Sequence, residues 1–138
     1  MNADNEAAAT RLHLSRMSFW SSLAMVPATV ALLDAGAWAI FFVYASSLLA
    51  TLAYHATAEK HFIATDRALA YGVIFCNCWM TFETRRIAWA IAGIACVFVA
   101  LVFYRMARIE RDKYDLWHSV WHLFCGGAGI CFVLGYAP

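Results

Sequence analysis

Long apolar runs constrain this chain more than any motif in it. They are Met17–Leu33, Ala37–Thr57, Asp66–Phe82, Ile87–Tyr104 and Leu116–Tyr136, separated by short polar breaks. At a rise of about 1.5 Å per residue, about 17 residues is the lower limit for a helix that crosses the hydrocarbon core of a bilayer. A helix suits that environment because it satisfies its backbone polar groups internally, with no water to help. A soluble domain fails on area. Of 138 residues, 64% are hydrophobic and 14% charged, and so short a chain buries too small a share of its surface to hide that load. The expected fold class is all-α, a polytopic transmembrane helix bundle of about five spans.

Residues 1–16 are polar and read as an N-terminal lead-in, with residues 17–138 as a single transmembrane helical domain. No cleavable signal peptide is expected, because that lead-in lacks a short apolar core ending in small residues. Pro27 should kink the first span. Five spans place the two termini on opposite sides. Arg11, Arg16, Lys60, Arg67, Arg105, Arg108, Arg111 and Lys113 then share one side, leaving Arg85 and Arg86 on the other. That bias predicts an integral membrane protein with a cytoplasmic N-terminus. The net charge of +1 gives no reason to expect a nucleic-acid partner. The five cysteines lie in apolar runs without zinc-knuckle spacing and read as packing residues.

The chemistry concentrates at the head of the last run, in Asp115-Leu-Trp-His118-Ser-Val-Trp-His122. Residues four apart share a helix face, so His118 and His122 can close on one metal ion, with zinc the usual guest. Trp117 and Trp121 repeat the spacing on another face, toward lipid or a neighbouring helix. An ionisable side chain inside a span is costly without a partner. Two more spans separate His55, near the end of the second run, from the start of the fifth. His55 therefore returns to the same layer, and so does Asp66 at the start of the third run.

Three imidazoles with a fourth position held by water form the ligand set of a catalytic zinc, which makes hydroxide available near neutral pH. Asp66 could orient or deprotonate that water, or fix a histidine tautomer. Thr51, one turn before His55, could donate to a developing oxyanion. Blander roles compete: His55 as a helix cap, Asp66 as a helix N-terminal carboxylate, Thr51 bonded to its own backbone. His13 and His61 fall in polar flanks. Asp115 suits a helix N-cap better than a partner for His118, and Asn77 suits a hydrogen bond across helices. Gly126, Gly127 and Gly129 permit close helix approach. Arg105 to Lys113 reads as a positive anchor that could also attract anionic lipid. Haem is a further possibility for the histidines, but it needs ligands on opposite sides of its plane, which an i, i+4 pair on one helix does not offer.

The pattern Thr51-x-x-x-His55, Asp66 and His118-x-x-x-His122 resembles the CREST superfamily of membrane proteins. That group holds the alkaline ceramidases, the adiponectin and progestin receptors, and myomaker with its relatives. Ser21-Ser22-Leu23-Ala24-Met25-Val26-Pro27, Tyr54-His55-Ala56 and His118-Ser119 read most like the myomaker branch. The resemblance implies that His55, His118 and His122 bind zinc and that Asp66 is a catalytic or supporting acid, with a membrane lipid as substrate or ligand. It implies hydrolysis of a lipid amide or ester bond, with a non-catalytic role in signalling or membrane remodelling as the alternative. Two features depart from the family pattern: about five helices stand for seven, and Thr51 stands for serine. A homo-oligomer would restore the enclosure that two fewer helices remove.

Overall fold

A computed structural model describes residues 17–57 and 60–137, so the polar lead-in and His13 lie outside the described residues. Every element is helical. Helix α1 is Met17–Asp34, α2 is Trp38–Thr57, α3 is Lys60–Phe82, α4 is Ile87–Ile109 and α5 is Tyr114–Tyr136. The all-α bundle of about five helices is thus as the apolar runs predict. Among the described residues four helices, all but α3, are long and apolar enough to cross a membrane, which supports an integral membrane protein. With 23 residues, α3 is long enough at roughly 34 Å, but Asp66, Arg67 and Asn77 dilute its apolar character. Two of these polar groups are spent inside the bundle. Asp66 accepts from Thr51 and Asn77 accepts from Tyr44, the cross-helix bond expected of Asn77.

Local chemistry sets the breaks. Pro27 has no N–H to offer the carbonyl of Leu23. The chain tightens there into a 3-10 turn, Leu23–Met25, and the N–H of Val26 takes that carbonyl instead. Helix α1 ends in a Schellman motif: Gly36 has φ +69°, its N–H bonds Leu33, and that of Ala37 bonds Leu32, each at 3.0 Å. Three boundaries differ from the apolar runs. Helix α3 starts at Lys60, six residues before Asp66, so Asp66 sits in the helix body and not at its N-terminus. Helix α4 runs on to Ile109, because Arg105 and Arg108 extend it past the apolar stretch. Asp115 is not an N-cap; Lys113 holds that position and Asp115 is buried inside the first turn of α5.

Helix α5 is the hub, packed against α1, α3 and α4, while α2 packs against α1 and α3. Helices α4 and α5 form the most extensive pair. Ala90, Gly93, Ala100 and Ala107 make the buried stripe of α4, as expected where membrane helices pack through small residues. Phe103 of α4 stacks on Trp117 and Phe124, and Tyr104 lies against Trp121. Both tryptophans therefore face a neighbouring helix. Contacts between α1 and α5 advance together along both helices: Ser22 meets His122, Ala24 meets Gly126 and Ala28 meets Gly129. The two helices are parallel. The starts of α1, α3 and α5 and the end of α2 therefore share one end of the bundle, which gathers the polar residues.

Candidate metal centre

His55 enters from the last turn of α2, and His118 and His122 from the second and third turns of α5; all three are buried. One nitrogen from each lies within 4.8 Å of the other two. Ring centroids stand 5.5 Å apart for His55 and His118, 5.3 Å for His55 and His122, and 4.5 Å for His118 and His122. Nitrogens sharing one tetrahedral zinc at about 2.0–2.1 Å stand roughly 3.3 Å apart, so a small inward closure of the three rings brings them to ligating distance. The group could bind a metal ion. His118 Nδ1 is buried without a hydrogen-bond partner, an arrangement that is costly for a polar nitrogen and fits a cluster that presents lone pairs to a cation. Aromatic rings wall the site: Tyr54 beside His55, Tyr114 stacked on His118, and Trp121 against both His118 and His122.

The proton on His122 follows from hydrogen-bond accounting. Ser21 Oγ lies 3.1 Å and Ser22 Oγ 3.0 Å from His122 Nδ1. Each hydroxyl has one proton, and both are donated to the carbonyl of Ser18, at 3.0 Å and 2.7 Å. With both hydroxyls so engaged, oxygen lone pairs face Nδ1, an arrangement that suits the tautomer with its hydrogen on Nδ1. In that tautomer the lone pair of the neutral ring lies on Nε2, available to a metal. Outer partners of this kind typically contribute 10–100-fold to metal affinity. A Ser21→Ala/Ser22→Ala variant is therefore expected to hold zinc about 10–100-fold more weakly in a chelator competition; an unchanged constant would remove the serines from the site.

Thr51 lies one turn before His55 and donates its hydroxyl to Asp66 Oδ1 at 2.5 Å. Its proton goes to α3 and not to its own backbone. The structure converges the three histidines and ties Asp66, through Thr51, to the helix that carries His55. Ser21 and Ser22, which lie against His122, are given no role by the sequence reading. Their signal is present, since Ser18, Ser21 and Ser22 stand at i, i+3 and i+4 and so line one face of the first span.

No protein-family model, no curated protein and no solved structure matches this chain.

Proposed function

We propose that this protein is an intramembrane zinc hydrolase that cleaves an amide or ester bond of a lipid, and that it is a short relative of the CREST superfamily with a cytoplasmic N-terminus. The observation that carries this reading is the buried group of three histidines, with the carboxylate of Asp66 bonded to Thr51 one turn before His55. His55, His118 and His122 would hold the zinc, which when bound would supply a polarised water as nucleophile and a Lewis acid for the scissile carbonyl. Asp66 takes the proton of the attacking water: Oδ1 is engaged by Thr51, and Oδ2 is left to act as the base. The same carboxyl then returns the proton to the leaving amine or alkoxide, so the carboxylate base is restored after each turnover. Thr51 positions Asp66. Ser21 and Ser22 hold His122 in the ligating tautomer, and the ring of Tyr114, Tyr54 and Trp121 keeps bulk water from the layer. A lipid reaches the site sideways from the bilayer.

One observation favours a second reading, in which the zinc is structural and the protein serves signalling or membrane remodelling. The only proton of Thr51 goes to Asp66, so the expected oxyanion donor is already engaged. Fatty-acid release from ceramide and phospholipid panels separates the two. Under the hydrolase reading, Asp66→Asn retains zinc and lowers turnover about 10²–10⁴-fold, the usual worth of a positioned general base. Zinc-loaded wild type that releases no fatty acid from either panel would select the structural reading. Release unaffected by Asp66→Asn would remove that residue from the reaction.

A further inference from the structure

The turn between α4 and α5 carries Arg105, Arg108, Arg111 and Lys113 against Glu110 and Asp112. Glu110 is already committed: Lys113 Nζ and Trp117 Nε1 both donate to its Oε2, each at 3.1 Å. These donors, the ammonium first and the indole second, hold its carboxyl below the usual carboxylate range. Among the described residues neither Arg108 nor Arg111 has an ion pair. The Arg108 guanidinium lies over the Tyr104 ring, 5.7 Å from its centroid. Arg108, Arg111, Tyr114 and the buried Ala107 line a cavity of about 370 Å³. Tyr114, one of its lining residues, connects it to the histidine group, because its ring stacks on His118 at 5.0 Å and 17°.

We propose that this cavity seats the phosphate of a glycerophospholipid whose acyl ester is presented to His55, His118 and His122. The inference rests on the hydrolase reading and names its substrate class. Two guanidinium groups without carboxylate partners match a phosphate in charge and in their planar fork of donors. The cavity lies at the end of the spans, where lipid phosphates reside. His118 is four residues deeper on the same helix, one turn or about 5–6 Å. The glycerol carbons of such a lipid set its acyl carbonyls below the phosphate by a comparable span. A ceramide presents only hydroxyl groups at that level and gives two arginines nothing to neutralise.

The test uses the full chain in detergent micelles, with phosphatidylglycerol, ceramide and inorganic phosphate as separate probes and retention read by native mass spectrometry. Phosphatidylglycerol is retained in preference to ceramide, and Arg108→Gln/Arg111→Gln weakens retention about tenfold or more, the scale of losing charge-assisted bonds. Arg85→Gln/Arg86→Gln removes the same charge from the opposite end of the bundle and leaves retention unchanged. Equal loss in both double variants would reduce the effect to general surface attraction and overturn the site. Displacement of the lipid by an equal concentration of inorganic phosphate would make the ligand a free anion and overturn the lipid assignment. If the Arg108/Arg111 variant does not fold, the wild-type preference between the two lipids still decides. Zinc content, measured alongside, keeps the two readings apart. Wild type that lacks zinc yet retains phosphatidylglycerol loses the hydrolase reading alone, whereas wild type that holds zinc and ignores phosphatidylglycerol loses this one.

Discussion

Elemental analysis of the detergent-purified protein is expected to return about one zinc per chain, and a His118→Ala/His122→Ala variant none. The variant leaves His55 alone, and one imidazole in an apolar layer cannot hold the ion. Stability should fall with the metal. Helix α2 lies on α1 and α3, while α5 carries the other two ligands, so zinc would join helices that otherwise share little backbone contact. The free energy of a bound metal adds to folding, on the order of 10 kcal/mol for structural zinc in small peptides. The melting temperature of wild type is therefore expected to drop on chelation to that of the double variant, with zinc restoring the wild type only. A visible spectrum without a Soret band accompanies this result, since zinc has no such transition and haem does. Wild type purified with no bound metal, and indifferent to added zinc, would return the histidines to helix packing.

The second large effect concerns two adjacent glycines. A Cβ on Gly126 would lie 2.3 Å from the carbonyl oxygen of Ala24 and 2.6 Å from its carbonyl carbon. Both are backbone atoms of the 3-10 turn in α1, and that turn cannot yield as a side-chain end would. A Cβ on Gly127 meets only Cys96 Sγ, at 3.8 Å, an ordinary contact. Gly126→Ala is expected to destabilise by about 1–3 kcal/mol or more through overpacking. Gly127→Ala should be neutral or stabilising by up to ~1 kcal/mol, the helix propensity gained. Gly126→Ala should also weaken zinc binding, because pushing α1 outward carries Ser21 and Ser22 away from His122. Thermal unfolding of the two variants side by side checks the sign of each; equal midpoints would mean that α1 does not seat on α5 as described.

The fold was legible because burial in lipid writes itself as uninterrupted apolar length, and the helix count follows from where that length breaks. Boundaries were less legible. Arg105 and Arg108 end the apolar run before Ile109 ends the helix, since charged residues stop hydrophobicity and not helical hydrogen bonding. The ligands were legible through their cost: His55, His118 and His122 stand out because an imidazole in a span needs a reason. Ser21 and Ser22 were not, since a serine inside a membrane helix commonly satisfies itself on its own backbone, and these two do so as well. Their second bond, to a ring 100 or more residues away, needs the parallel pairing of α1 with α5, which no local pattern records. Asp115 was misplaced for a related reason. Composition favours aspartate as a helix cap, and only tertiary contact shows that this one is buried.

That parallel pairing also sets a timetable. Ser22 and His122 are 100 residues apart, so at about 5–20 residues per second the serines of α1 are made roughly 5–20 s before the ring they orient. His55 likewise waits for both of its co-ligands, which arrive together on α5. A nascent chain that stalls before α5 therefore holds only one of the three candidate ligands, His55. Metal loading would thereby be tied to insertion of α5, and retained zinc would serve as a biochemical receipt that this helix had reached its place.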